Sequence, residues 1–191
     1  MFLKFFLAST IAVLILVTIS NNALAKSKNK GGSSDSQYHL TLGLGLDNAA
    51  GNEEFENNAN KVGLLAGVSL RRIIPSDRYA YGFGISATTA EHDKEIGNGK
   101  YKPTLINLEA LFFPSNESIK SYLLLSAGQA NDKLVENENY MTFGLGAGAF
   151  AALPGAEVSP TLGFEAKYLM AQGSDNKTGF WQFFGTLGVL F

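Results

Sequence analysis

A strict two-residue alternation, which begins at Tyr38 and continues to the C-terminus, constrains the fold more than any other feature. From Tyr38 to Leu46 every even position is Tyr or Leu, while the odd positions hold His, Thr or Gly. Successive side chains of a β-strand point to opposite faces, so each such segment has one apolar face and one small or polar face. The pattern predicts eight strands, at 38–46, 62–72, 79–88, 104–113, 121–129, 140–151, 158–170 and 180–191.

The lengths and faces of these segments favour a membrane barrel. Strands of soluble proteins typically run about 5–6 residues, whereas a tilted membrane-spanning strand needs about 9–11. Small residues suit the crowded interior of a narrow closed barrel. The apolar face must then look outward, which lipid tolerates and water does not. We expect an all-β fold, a closed eight-stranded antiparallel up-and-down transmembrane β-barrel; the alternative is a soluble lipocalin-like carrier.

The connections between these segments fall into two alternating classes. Short connections that contain Pro follow the second, fourth and sixth strands, and mostly longer polar ones follow the odd strands. Outer-membrane barrels have this layout, with tight turns in the periplasm and longer loops outside. The short connections are 75–78, 114–120 and 152–157, and the longer ones are 47–61, 89–103, 130–139 and 171–177.

Aromatic residues gather at both ends of the predicted strands. This indicates two interfacial girdles of the kind that flank the lipid-facing band of such barrels. The girdle next to the short turns comprises Tyr38, Tyr79, Tyr81, Phe112, Phe113, Tyr122 and Phe191; the one next to the long loops comprises Tyr101, Tyr140, Tyr168, Phe180 and Trp181.

The N-terminal segment is typical of export. A short basic start precedes an apolar stretch of 15 residues at 5–19, and Ala23-Leu24-Ala25 supplies a small-x-small cleavage site. The apolar run is shorter than the roughly 20 residues of a transmembrane helix. We expect a signal peptide at 1–25 with cleavage after Ala25, a flexible leader without apolar residues at 26–37, and the barrel domain at 38–191.

The last strand carries a more specific resemblance. It alternates and ends on an aromatic residue, with Phe183, Leu187, Val189 and Phe191 on one face. This resembles the C-terminal signal that the barrel-insertion machinery of bacterial outer membranes recognises, although Thr186 stands where that signal usually has Gly. The chain from Tyr38 onward resembles the small eight-stranded outer-membrane family, which includes the barrel of outer membrane protein A and the opacity-type surface proteins. The resemblance implies location in the cell outer membrane of a Gram-negative bacterium.

Charged residues within the strands fall on the inner face by parity. Arg or Lys on the lipid face near the midplane costs about 2–4 kcal/mol, and unpaired charges in a narrow lumen are also costly. We therefore predict a polar network in the lumen, acting either as a plug or as a gate; an eight-stranded barrel encloses little more than its side chains, which favours the plug. Its members are Arg71, Asn107, Glu109, Glu165, Lys167 and Gln182, with Thr161 beside them.

The sequence offers little catalytic or cofactor chemistry. It has no Cys, which excludes disulfides and thiolate catalysis, and a net charge of −2 disfavours nucleic acid. His39 and His92 are interpreted as solitary polar residues, and the glycines at 144, 146 and 148 as lumen positions without a following helix to bind phosphate. Some enzymes of this fold modify lipid A with a lipid-facing His/Ser pair, but the last four strands hold no His. We expect no enzyme activity, no cofactor and no metal site.

The outer loops are acidic. Their charges indicate a solvated rim, or divalent-ion bridging to lipopolysaccharide, or a host or phage contact; no loop has calcium-loop spacing. We expect a monomeric structural or surface-interaction protein whose partners are outer-membrane lipid, lipopolysaccharide and the insertion machinery; the alternatives are a small porin-like channel and a lipid A-modifying enzyme. The acids are Asp47, Glu53, Glu54, Glu56, Glu91, Asp93, Glu95, Asp132, Glu136 and Glu138.

Overall fold

The computed structural model of the chain describes residues 36–50, 62–93, 100–115, 119–131, 139–153, 158–172 and 177–191. These residues form long, regular strands because alternating apolar and small side chains fit a pleated sheet with two different faces. None of the described segments is a helix long and apolar enough to cross a membrane. The strands are β1 (Gln37–Ala50), β2 (Val62–Pro75), β3 (Ala80–Asp93), β4 (Lys100–Tyr101), β5 (Thr104–Phe113), β6 (Ile119–Asn131), β7 (Asn139–Ala152), β8 (Ser159–Gln172) and β9 (Lys177–Leu190).

The eight long strands close into one antiparallel barrel. Each pairs with its neighbours in order from β2 through β1, β9, β8, β7, β6 and β5 to β3, and the pairing of β3 with β2 completes the circle. The two-residue β4 pairs only with the end of β3, through His92 and Tyr101. The closed eight-stranded antiparallel barrel expected from the sequence is confirmed.

The two ends of the barrel domain meet at the seam between β1 and β9. The backbone of Tyr38 donates to the carbonyl of Phe191 at 2.7 Å, and the amide of Phe191 donates back to Tyr38 at 2.9 Å. Their rings stack with centroids 6.0 Å apart. The terminal aromatic residue therefore helps to close the barrel at the end of the short turns. β1 begins at Gln37, the last residue of the predicted leader.

The apolar faces of the strands point away from the barrel axis, as the alternation predicts. Strand β6, which is the fifth of the eight predicted strands, follows the same rule, with Leu123 and Leu125 outside and Leu124 inside. Leu40 has the outward parity but is buried. Among the outward side chains that are at least half exposed are Leu44, Leu64, Phe83, Ile106, Leu108, Leu145, Leu162, Phe164 and Leu187.

Several strands extend further toward the long connections than the alternation of hydrophobicity indicates. β1 runs past Leu46 to Ala50, and β3 runs past Thr88 to Asp93. Polar residues occupy these extensions, so the apolar pattern stops while backbone pairing continues. Asp47 and Glu91, assigned to loops by the sequence, therefore belong to strands.

The aromatic girdles are smaller than predicted. Tyr38, Tyr79, Tyr81 and Phe112 are exposed on the turn side and Trp181 on the loop side. Four of the predicted members instead point inward and are buried, because neighbours such as Phe112 and Phe113 must lie on opposite faces of a strand. The four are Phe113, Tyr122, Tyr140 and Phe180.

Candidate functional site in the barrel interior

Four charged side chains from three strands meet inside the barrel. Arg71 lies on β2, Glu109 on β5, and Glu165 and Lys167 on β8. All four are almost completely buried. Two cations and two carboxylates balance each other, so the group as a whole carries no net charge. We refer to these four residues as the ionic cluster.

Each carboxylate of the ionic cluster contacts both cations. Glu109 accepts from Arg71 Nε at 2.8 Å and from Lys167 Nζ at 2.6 Å. Glu165 lies 2.6 Å from Arg71 Nη2 and 2.7 Å from Lys167 Nζ. A buried charge is tolerated when it is paired and hydrogen-bonded, and this arrangement meets both conditions while linking opposite walls of the barrel.

Tyr122 on β6 is a fifth member of this network, and the sequence interpretation assigned it to a girdle. Its hydroxyl accepts from Arg71 Nη1 at 3.0 Å and donates to Glu165 Oε2. The Arg71 guanidinium also lies 5.3 Å from the centre of the Tyr122 ring. The parity of β6, in which Tyr122 shares a face with Leu124 and Ser126, was the signal that could have placed it inside.

Interior glycines make room for the cluster. A Cβ atom at Gly84 would lie 2.7 Å from the side chain of Arg71, and one at Gly148 would lie 2.5 Å from the Tyr122 ring and hydroxyl. Both distances are shorter than van der Waals contact. The small residues of the inner face are therefore the positions across which long polar side chains lie.

The other two members of the predicted network make no hydrogen bond to the ionic cluster among the described residues, although Gln182 is paired with Lys167 across β8 and β9. Asn107 accepts a hydrogen bond from Thr142 Oγ1 at 2.6 Å. Gln182 is buried, and neither its Nε2 nor its Oε1 has a hydrogen-bond partner among the described residues. Thr161, predicted to lie beside the network, bonds His39 Nε2 at 2.9 Å.

A second buried polar contact lies toward the long connections. His92 Nε2 is 2.9 Å from Asp47 Oδ2, and both side chains are completely buried. The interpretation of His92 as a solitary loop residue was wrong, because β3 continues through it and turns its side chain into the barrel. Asp47 is paired with Gln182 across β1 and β9. We call Asp47, His92 and Gln182 the loop-end polar group.

Apolar residues fill the interior on both sides of the ionic cluster. The His39 ring packs against the Phe150 ring on the turn side, with ring centres 4.1 Å apart and the planes tilted by 36°. A cavity of about 20 Å³, lined in part by Ser86 and Thr88, remains beside the cluster, which is room for about one water molecule. Ile73, Ala80, Leu111, Phe113, Tyr122, Leu124, Phe150 and Leu190 form the turn-side layer, and Leu105, Ala130, Tyr140, Leu169, Ala171 and Phe180 form the other.

The residues of the predicted C-terminal signal lie on the outer face of β9. Phe183 and Leu187 are exposed, whereas Val189 and Phe191 are partly covered. The predicted cleavage site at Ala23 and Ala25 lies outside the described residues. So do most of the predicted loop acids, namely Glu53, Glu54, Glu56, Glu95, Asp132, Glu136 and Glu138.

The ionic cluster gives this interior a network of paired charges that balance each other. Among the residues that the structure describes, no three His, Asp or Glu side chains are grouped as a metal ion requires. The ionic cluster spans the lumen, and apolar layers flank it on both sides. The ion pairs link β2, β5 and β8, and the cavity of about 20 Å³ lies beside them.

Comparison with known proteins gives relatives by structure alone. No protein-family model matches the chain, and no curated protein matches its sequence. The barrel is similar to the attachment invasion locus protein Ail of Yersinia pestis, with 19% identity, 82% of this chain and 99% of that chain covered, and a TM-score of 0.50. It is also similar to Neisserial surface protein A, with 14% identity, coverage of 84% and 98%, and a TM-score of 0.54.

A further match is Ail in complex with the heparin analogue sucrose octasulfate, with 17% identity, coverage of 82% and 99%, and a TM-score of 0.50. At these identities the likeness shows the fold, which is that of the small eight-stranded outer-membrane barrels. The apolar outer band agrees with this fold, because only lipid makes such a surface stable. The fold is thus that of the β-barrels of the bacterial outer membrane, as the sequence predicts.

Proposed function

We propose that this protein is a monomeric outer-membrane barrel with a structural or surface-interaction role, and that its lumen is closed by the ionic cluster acting as a plug. Its fold is shared with small surface barrels, and the sequence resembles the barrel of outer membrane protein A and the opacity-type proteins. Every long strand is paired along both edges, which leaves no strand edge to recruit a second copy. The proposal includes no catalytic step.

The filled interior is the observation that carries the plug. Arg71, Glu109, Glu165 and Lys167 cross the lumen in direct contact, and the apolar layers lie above and below them. A small channel would need a continuous wet path through the barrel, and the cavity beside the cluster holds only about 20 Å³.

Single-channel recording in planar lipid bilayers tests the plug. We expect conductance near zero for the natural protein and also for Glu109→Ala, because the apolar layers remain when one carboxylate is removed. Heat-modifiable gel migration shows that the barrels under test are folded. A large, stable conductance of the folded natural protein would contradict the plug and support the porin-like alternative.

The net negative charge of the outer connections supports a surface role in which the partner is positively charged or is bridged by cations. The four predicted loops together hold 11 acidic residues and six lysines. A polyanion such as the heparin analogue seen with Ail would be repelled by this excess of negative charge. We propose that the loops instead contact cationic surfaces, or anionic lipopolysaccharide through divalent ions.

Replacement of Glu53, Glu54 and Glu56 by Gln tests the charge argument on whole cells that display the protein. We expect weaker retention on a cationic surface and unchanged, low retention on immobilised heparin. A matched triple change of Asn52, Asn57 and Asn58 to Gln keeps the charge and should change neither. Strong heparin binding by the natural protein would contradict the proposal.

The remaining elements of the proposal concern export and assembly. We propose that residues 1–25 are removed, that 26–37 act as a leader, and that the outer face of β9 at Phe183, Leu187, Val189 and Phe191 is read by the insertion machinery. N-terminal sequencing of the mature protein should begin at Lys26. Both histidines point into the lumen and are buried, which does not favour the lipid-modifying alternative; lipid A mass spectrometry of a deletion strain should show no change.

A further inference from the structure

One part of the outer wall departs from the apolar band. A groove of about 590 Å³ lies along β5 and β6. Three cross-strand pairs form its sides: Leu108 with Ala127, Ile106 with Gln129, and Thr104 with Asn131. All six side chains are exposed.

The groove becomes steadily more polar toward the long connections. Leu108 and Ala127 are both apolar, Ile106 faces an amide, Thr104 pairs with a second amide, and the Lys102 ammonium lies beyond them. From residue 108 to residue 104 a strand advances about 13 Å. Because the strands of such barrels tilt by about 35–45°, the polarity changes over about 10 Å along the membrane normal. That distance is comparable to the step from the acyl chains to the head group of a lipid.

Gln129 is the most informative position. Its cross-strand neighbours on the outer face are Ile106 and Met141, whose side chains cannot satisfy a carboxamide. An amide without a partner is costly in hydrocarbon. A lipid whose own head group donates and accepts hydrogen bonds at this depth would remove that cost.

We infer that this groove binds the acylated, phosphorylated amino-sugar part of lipopolysaccharide. An acyl chain would lie over Leu108 and Ala127, sugar hydroxyl and amide groups would bond Thr104, Gln129 and Asn131, and a phosphate would contact Lys102. Lys102 already pairs with Glu91 at 2.5 Å and remains partly exposed, so a phosphate can reach its ammonium group.

This inference rests on the proposed function, because the groove faces the outer leaflet only if the long connections are outside. Amide and hydroxyl groups both donate and accept, which suits the many hydroxyl and amide groups of an acylated amino sugar better than the two head-group hydroxyls of phosphatidylglycerol. The occupant is therefore the glycolipid of the outer leaflet, and an ordinary phospholipid is the outcome that would overturn the inference.

Native mass spectrometry of the full-length mature protein tests the groove. The protein would be reconstituted in phosphatidylcholine nanodiscs that contain either rough lipopolysaccharide or phosphatidylglycerol. We expect retained lipopolysaccharide to fall about tenfold in Ala127→Phe, since filling the groove removes contacts of that order. Ala147→Phe is the matched control, because Ala147 is also an exposed outward alanine, on β7 and outside the groove.

Gln129→Leu tests whether hydrogen bonding by the Gln129 amide, and not only the shape of the groove, determines which lipid is retained. It keeps the groove's volume but removes the amide, and we expect several-fold weaker retention of lipopolysaccharide with no change for phosphatidylglycerol. Gln172→Leu, an exposed glutamine at the end of β8, is its control. Equal retention by the natural protein and both groove variants, or equal retention of the two lipids, would overturn the inference.

Thiol labelling distinguishes failure of the groove from failure of the proposed orientation. The chain has no cysteine, so single cysteines can be introduced at Asp77, in a short connection, and at Gly97, in a predicted outer loop. An impermeant reagent should label intact cells at 97 and not at 77. The reverse pattern would contradict the orientation in the proposed function. The expected labelling together with unchanged lipopolysaccharide retention in the groove variants would contradict only the inference about the groove.

Discussion

The two buried polar groups of the barrel, the ionic cluster and the loop-end polar group, differ in how completely they are paired. In the ionic cluster Glu109 and Glu165 each contact two cations. In the loop-end polar group Asp47 contacts His92 through one oxygen, while its Oδ1 and both polar atoms of Gln182 have no partner among the described residues. The side chains of both groups are almost completely buried, so we expect completeness of pairing, and not burial, to decide how much each group contributes to stability.

The largest expected effect is that of removing a carboxylate from the ionic cluster. Glu109→Ala leaves Arg71 and Lys167 with one shared carboxylate, and breaking a buried pair in this way costs about 3–5 kcal/mol. Urea unfolding in lipid vesicles, followed by tryptophan fluorescence and by heat-modifiable migration, measures the loss. Glu109→Gln keeps hydrogen-bonding atoms in place and should lose less.

A Glu109→Ala barrel as stable as the natural one would mean that the cluster fills space without holding the walls together. Glu165→Ala should behave similarly, because Glu165 also contacts both cations and accepts from Tyr122. A Glu109→Ala/Glu165→Ala double variant whose loss differs from the sum of the two single losses would show that the cluster acts as a unit.

The loop-end polar group should be less sensitive. Asp47→Ala removes one hydrogen bond to His92 and also removes an oxygen that is already unpaired, so we expect a loss of about 1–3 kcal/mol in the same unfolding assay. Asn48→Ala changes the next residue, which is exposed on the outer face, and should have little effect. A loss larger than that of Glu109→Ala would reverse the comparison.

The fold could be predicted from the sequence because alternation and strand length are read directly from residue types. Small residues on one face and Leu or Phe on the other identify a membrane barrel, and the charged positions such as Arg71 and Glu109 fall on the inner face by counting alone. The extra length of β3 could not be predicted in this way, because Glu91 and His92 continue the backbone pairing without continuing the hydrophobic pattern.

The partners of the interior residues could not be predicted. Parity says that Arg71 and Glu165 share the lumen, but their contact depends on the stagger of strands β2 and β8 around the barrel, which residue types do not encode. The same limit applies to apolar residues. In Leu123-Leu124-Leu125 hydrophobicity cannot tell which leucine is inside, and pairing with β7 settles it for Leu124.

Replacement of Gln182 should increase the free energy of unfolding, whereas the changes above should decrease it. Neither polar atom of its side chain has a partner among the described residues. The amide therefore loses its hydration on folding, and no hydrogen bond offsets that free-energy cost. Gln182→Met keeps the length and removes the polar atoms, so we expect a gain of about 1 kcal/mol in unfolding free energy. Gln172→Met, at an exposed site, should give no gain, and destabilisation by Gln182→Met would show that the amide is satisfied in the membrane-embedded protein.

The smallest effect should come from an ionic contact outside the barrel. Glu91 and Lys102 lie 2.5 Å apart, but both remain partly exposed. Exposed ion pairs contribute about 0–1 kcal/mol because water and salt screen them. Glu91→Ala should therefore shift the unfolding curve only slightly, and the shift should vanish at high salt, whereas the deficit of Glu109→Ala should persist there. A salt-independent loss at Glu91 as large as that at Glu109 would show that contact distance, which is similar in both pairs, matters more than burial and completeness of pairing.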